Sequence, residues 1–194
     1  MIDMKGRLFL ARHGATVWNS QHRLTGWTDL PISEQGKEEA YSCGVFLKKQ
    51  GIVFDRAYTS DLRRASQTLD IILDTIGQKN LPIISDSALR EQFFGSAQGT
   101  SRMERRSIGF QMDPAAETAE AFRKRVLKFY YDEIKPTLEA GEVVLVVTHQ
   151  RVIREIVVDI SGNAGVSTFD FKKWETGEVH QVNGNIDYYN SKLL

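Results

Sequence analysis

Glu142 is followed by Val143-Val144-Leu145-Val146-Val147-Thr148-His149, and this run limits the folds open to the chain more than any other. A block of consecutive apolar, mostly β-branched residues is the pattern of a central strand in a parallel sheet, buried on both faces. Parallel neighbours need long crossovers, usually helices, and the rest of the chain supplies them. Residues 7–12, 54–59 and 82–85 read as further strands. Ser33 is placed to cap a helix over residues 34–50, with Ala40, Cys43, Val45, Phe46 and Leu47 broadly on one face and Gly51 ending it. Ser60 or Asp61 is expected to cap the next helix, where Leu62, Ala65, Leu69, Ile72 and Ile76 recur at spacings of three and four and Gly77 stops the run. Residues 117–138 predict one long amphipathic helix with Ala121, Phe122, Val126, Phe129 and Tyr130 inward and Pro136 near its end, and residues 152–160 a buried helix. Residues 163–194 hold two or three weaker strands, with Gly177 and Asn183-Gly184 as turn candidates.

This alternation predicts a three-layer α/β/α sandwich around a mostly parallel central sheet, as a single domain over residues 1–194. Residues 19–29 lack periodicity and read as a loop, and a short helical turn is expected from Thr16 to Trp18. The segment 92–116, broken by Gly95, Gly99, Gly109 and Pro114, predicts a cover over the sheet's end, with one short helix around residues 101–108.

Composition narrows the classes. The 194 residues are 41% hydrophobic and 26% charged with a formal net charge of zero, which argues against global disorder and against a strongly basic nucleic-acid footprint. Cys43 is the only cysteine, so no internal disulfide forms and a reducing compartment is expected. The apolar stretch before Arg12 is too short for a signal-peptide core, and no run approaches the roughly 18–20 apolar residues of a spanning helix. A soluble cytoplasmic protein without membrane or nucleic-acid partners is the expectation, with a homodimer left open.

The chemistry sits where strands end. Arg12-His13-Gly14 follows the first strand, Arg63-Arg64 follows the second, Leu89-Arg90-Glu91 lies beyond the third, and His149 closes the Val143–Thr148 run. In an open α/β sheet ligands bind beyond the carboxyl ends of the strands. One pocket there would hold two histidines, two arginines and a carboxylate. Arginine offers a planar fork that matches phosphate, a neutral imidazole is a nucleophile toward phosphorus, and a carboxyl beside the leaving oxygen serves as a proton donor.

The wider motifs carry a resemblance. Arg12-His13-Gly14 with Thr16, Trp18-Asn19, Arg23 and Thr25-Gly26-Trp27, continued by Pro31, Ser33 and Gly36, resembles the signature of the histidine phosphatase, or phosphoglycerate-mutase-like, superfamily. Tyr58-Thr59-Ser60-Asp61-Leu62-Arg63-Arg64-Ala65 with Gln67-Thr68 resembles its second motif, Leu89-Arg90-Glu91 with Gly95 and Gly99 its third, and Val147-Thr148-His149 its fourth. The likeness runs from Leu8 to about Ile160. It implies a phosphoglycerate-mutase-like fold and a phosphohistidine on His13. It further implies Arg12, Arg64 and His149 around the phosphate, Glu91 as proton donor, and Asn19, Arg23, Thr25 and Gly26 as phosphate or substrate contacts. No metal or other cofactor is implied, and a zinc site is argued against by the lone cysteine and by the absence of paired histidines at helical ligand spacing.

Three positions depart from the family pattern. Ala15 stands where Glu is common, Gln150 where Gly usually follows the last histidine, and Ser96-Ala97 where bulkier residues are common. Gln150 is therefore a candidate to narrow the pocket or to bond substrate. The family's mutases carry a longer insertion between the third and fourth motifs, and a short cover excludes water less well. On that ground the sequence favours metal-independent hydrolysis of a small phosphomonoester, with a phosphoglycerate-type mutase or a non-catalytic phospholigand-binding protein as alternatives. Arg102, Arg105 and Arg106 fit a second anion site but suit a solvated helix face slightly better. Phe93, Phe94 and Phe110 suit core packing as well as a pocket wall, and His22 and His180 are read as incidental.

Overall fold

The structure, a computed structural model, describes residues 5–101, 103–104, 113–162, 174–182 and 186–187. Its strands are β1 (Arg7–Arg12), β2 (Arg56–Ser60), β3 (Ile83–Asp86), β4 (Val143–Thr148), β5 (Val179–Val182) and β6 (Ile186–Asp187). They form one sheet in the order β3-β2-β4-β1-β5-β6. β3, β2, β4 and β1 run parallel, whereas β5 and β6 are each antiparallel to the preceding neighbour in that order. The helices are α1 (Val17–Ser20), α2 (Glu34–Lys49), α3 (Arg63–Ile76), α4 (Ala119–Phe129), α5 (Lys135–Glu139) and α6 (Gln150–Ile160).

The two-residue period of a strand decides which layer each side chain joins. Phe9 and Ala11 of β1 and Leu145 and Val147 of β4 face Cys43, Phe46 and Leu47 of α2 and Leu69 and Ile72 of α3. Leu8 and Leu10, with Val144 and Val146, face the opposite way, onto Phe122 and Val126 of α4, Leu138 of α5 and Val152, Ile153 and Ile156 of α6. A sheet apolar on both faces and covered on both is the expected three-layer sandwich.

Three local expectations change. Helix α3 is capped neither by Ser60 nor by Asp61: Leu62 is its N-cap residue, and the first-turn N–H of Arg63 donates to Asp29 Oδ1 at 2.8 Å. Asp61 is occupied elsewhere, accepting from Arg90 at 2.7 and 2.5 Å. The long helix expected over 117–138 begins at Ala119, with Thr118 as its cap, and passes through a wider π turn at Tyr130–Ile134 before α5. Pro136 has no N–H for the preceding turn, and the wide turn lies just ahead of it while keeping Tyr130, Ile134 and Leu138 inward. Ala121 is exposed rather than inward, because the buried stripe runs through Phe122, Val126 and Phe129.

Gly77, with φ 82°, ends α3 in the left-handed conformation as expected, and Gly177, with φ 74°, makes the turn before β5. Most of the short helix expected around 101–108 lies outside the described residues, as do Arg102, Arg105, Arg106, Phe110 and Asn183-Gly184. Among the described residues no helix is long and apolar enough to cross a membrane.

Candidate active site

Register brings the two histidines together. β1 and β4 pair from Arg7↔Val143 to Arg12↔Thr148, so the next residues are His13 and His149. His13 N–H continues the ladder by donating to the Thr148 carbonyl at 3.0 Å. The two rings lie 5.1 Å apart, centroid to centroid, with their planes tilted by 59°. His149 is completely buried and His13 nearly so.

The hydrogen bonds of His13 fix its chemistry. Nδ1 lies 2.8 Å from the Gly14 carbonyl oxygen, which only accepts, so Nδ1 carries the proton and Nε2 keeps its lone pair. Burial, reinforced by the charges of Arg64 and Arg12, holds the His13 pKa well below the ordinary 6.5. His149 is pushed the same way by burial, then by Arg64, His13 and Arg12. Neither of its ring nitrogens has a hydrogen-bond partner among the described residues. Two neutral imidazoles in the field of two guanidiniums can bond the oxygens of a bound phosphoryl group and attack its phosphorus.

Each arginine is held from behind. Arg12 Nη1 donates to the Trp174 carbonyl at 2.6 Å, and Arg64 Nη2 and Nη1 donate to the carbonyls of Gly26 at 2.7 Å and Thr28 at 2.9 Å. The Nε of each is buried without a partner among the described residues. Burial lowers the Arg64 pKa to about 10, with Glu91 and Asp29 acting against it, and lowers that of Arg12 against the charges of Glu91, Glu175, Glu39 and Glu178. Both remain cations at neutral pH. The charge of Glu91 acts on both, so its carboxylate lies within electrostatic reach of the two guanidiniums.

The loop between β1 and α1 is locked. Gly14 N–H donates to Thr68 Oγ1 at 2.9 Å, and Ala15 N–H donates to Glu39 Oε2 at 2.9 Å. A Cβ on Gly14 would sit 2.4 Å from the Gly36 carbonyl oxygen, so only glycine fits there.

The other expected contacts divide. Asn19 Oδ1 accepts from Thr16 N–H and Oγ1, each at 2.9 Å, and so faces its own helix start. Arg23 Nη1 reaches the Gly99 carbonyl at 2.5 Å and stands 3.8 Å from Glu104, tying the loop to the segment beyond Glu91. Gly26 serves through its carbonyl, which holds Arg64; Thr25 is half-buried beside it. Gln150 is the first residue of α6, and its Oε1 is buried without a partner among the described residues. His180, read as incidental, is buried on β5 with its ring 4.1 Å from that of Trp174.

Sequence reasoning passed over Arg125 and underused Trp27. Arg125 donates to the carbonyls of Ala88 at 2.8 Å and Arg90 at 3.1 Å and pairs with Glu117 at 2.8 Å. Trp27 Nε1 donates to the Glu91 carbonyl at 2.7 Å. Together they clamp the backbone that presents Glu91. A signal existed: Arg125 interrupts the apolar stripe between Phe122 and Phe129. Cys43 is buried with its thiol pushed up to about 12, so it is no nucleophile. Among the described residues no group of three or more histidine, cysteine or acidic side chains is gathered as a metal site.

Residues 8–188 match the family model of the histidine phosphatase superfamily, branch 1. The chain belongs to this superfamily. The match extends past the four motifs to take in β5 and β6. A 2,3-bisphosphoglycerate-dependent phosphoglycerate mutase 2 of Gloeobacter violaceus is 37% identical over 166 residues, 79% of this chain and 74% of that protein. A 2,3-bisphosphoglycerate-dependent phosphoglycerate mutase of Mesorhizobium japonicum is 34% identical over 208 aligned positions, covering 98% of this chain and 99% of its own. Among solved structures, phosphoglycerate mutase from Bacillus anthracis superposes with a TM-score of 0.76 at 27% identity, over 95% of this chain and 92% of that one.

Histidines kept neutral by burial have a thermodynamic cost in acid. An unfolded histidine binds its proton near pH 6.5, whereas His13 and His149 in the fold do not until well below that. The unfolded state therefore binds more protons as pH falls, and stability drops with it. The melting temperature is expected to be level in pH above about 7 and to fall progressively below about 6.5. His149→Gln should flatten that slope, and an unchanged slope in the variant would contradict the assignment.

Proposed function

We propose that this chain is a phosphoryl-transfer enzyme of the phosphoglycerate mutase type, working through a phosphohistidine on His13. The observation that carries the reading is the pair of buried, neutral imidazoles 5.1 Å apart in the field of two buried arginines, with Nδ1 of His13 bonded and its Nε2 left to attack. Arg12 and Arg64 would grip the phosphoryl oxygens and His149 would bond a third, in a site where charge stabilisation needs no reorganisation. Nε2 attacks phosphorus, the P–N bond forms as the P–O bond breaks, and Glu91 gives its proton to the leaving oxygen. In the second half Glu91 takes a proton from the acceptor hydroxyl, whose oxygen attacks phosphorus and releases His13. Two of its relatives and the solved Bacillus anthracis structure are named phosphoglycerate mutases, which supports a phosphoglycerate hydroxyl as acceptor.

This reading reverses the preference for hydrolysis drawn from the short cover. One sequence feature still favours water as the acceptor. Only residues 92–148 separate Glu91 from His149, and a short cover excludes less water. Phosphorus NMR decides between the two. With 3-phosphoglycerate and a trace of 2,3-bisphosphoglycerate, 2-phosphoglycerate should appear at least ten times faster than inorganic phosphate. Phosphate release that accounts for all substrate lost would make the enzyme a phosphatase. The substrate is taken to be a small phosphomonoester, with no metal required.

A further inference from the structure

We infer that Arg151 binds a second anionic group on the substrate, carried by the part that leaves the phosphorus, and so selects phosphomonoesters that bear one. The inference rests on the proposed role of Glu91 and names a specificity residue that the motifs did not single out. Arg151 is the second residue of α6, and its backbone N–H lies 3.5 Å from Glu91 Oε2. A substrate oxygen protonated by Glu91 must come within hydrogen-bond reach of that carboxylate. Whatever that oxygen carries then lies beside residue 151.

The side chain is held ready there. Its Nη1 donates to Gln92 Oε1, and Gln92 is fixed in turn by donating Nε2 to the Glu117 carbonyl at 2.7 Å. The guanidinium also lies over the Phe94 ring, 4.9 Å from its centroid. These partners are neutral. Arg90 and Arg125, its neighbours around the same loop, are each committed to a carboxylate, Asp61 and Glu117. Arg151 forms no such pair among the described residues, so it is an exposed cation, oriented but not neutralised, at the exit of the site. A planar guanidinium suits a carboxylate or a second phosphate through the same two-pronged contact. Arg151 thus takes the anion-binding part that the sequence also offers to Arg102, Arg105 and Arg106.

Three ligands of one carbon skeleton test this: glycerol 3-phosphate, 3-phosphoglycerate and propane-1,3-diol bisphosphate, neutral, carboxylate and phosphate respectively at the far end. Dissociation constants are measured by titration calorimetry on the wild-type chain, on Arg151→Gln and on Arg151→Lys. The wild type should bind at least one of the two anionic ligands tenfold or more tightly than the neutral one, and which one identifies the group. Arg151→Gln should erase that ratio by about ten- to a hundredfold, the size of a charge-assisted hydrogen bond, and Arg151→Lys should restore part of it. Equal weakening of all three ligands, or no preference in the wild type, overturns the inference. Failure to form a phosphohistidine would instead sink the mechanism, and it is read separately from these ratios.

Discussion

His13→Ala is expected to abolish the acid-labile phosphoenzyme and to lower kcat on the order of 10⁴-fold or more, as removal of a covalent nucleophile does. The fold should survive. His13 is fixed to β4 through its backbone N–H and to the Gly14 carbonyl through Nδ1, and the layers are built from other residues. The variant should still bind vanadate or inorganic phosphate within about tenfold of the wild type, because Arg12, Arg64 and His149 remain and their Nε and ring nitrogens still seek a partner. This combination separates a lost nucleophile from a collapsed site. Full turnover in the variant would refute covalent transfer through this residue. Loss of phosphate binding together with turnover would show that His13 holds the ligand instead of attacking it.

Glu91→Gln should lower kcat by about 10²–10⁴-fold for alkyl phosphomonoesters and far less for p-nitrophenyl phosphate. An alkoxide needs a proton to leave, and a nitrophenolate does not. The substitution is well suited to the test because the backbone of Glu91 is anchored without its carboxyl. Its carbonyl accepts from Trp27 Nε1 at 2.7 Å, and Arg125 holds the adjoining carbonyls of Ala88 and Arg90. Glutamine can still accept from the Gln92 N–H that Glu91 Oε1 accepts at 3.0 Å. Equal loss for every leaving group would mean that Glu91 shapes the field around Arg12 and Arg64 and donates no proton.

The parts of this molecule that were legible in the sequence are those written in periodicity. The Val143–Thr148 run and the Leu8–Ala11 run each alternate between two apolar layers once paired, so sheet, layers and the placing of His13 beside His149 follow from pattern and register. Gathering Arg12, Arg64 and Glu91 at the same end follows from parallel strand direction alone. What stayed hidden depends on contacts between aperiodic segments. Capping signals are local, so Ser60 and Asp61 looked sufficient for α3, yet the cap comes from Asp29 across the loop of residues 19–29. Gly26 resembles a phosphate contact, and no motif shows that its carbonyl also holds Arg64. Arg125 bonds the carbonyls of Ala88 and Arg90, in a loop that precedes it by more than thirty residues, and no spacing rule reports such a bond.

In the proposed mechanism the phosphoryl group rests on Nε2 of one histidine between the two half-reactions. The direct measurement is to quench the wild-type enzyme in base during turnover, digest it, and locate the phosphorylated residue by tandem mass spectrometry. The added phosphate is expected on His13, lost on brief acid treatment and chased off by the acceptor at the turnover rate. Phosphate found on His149 or on any other side chain, or steady turnover with no labelled peptide, would contradict it.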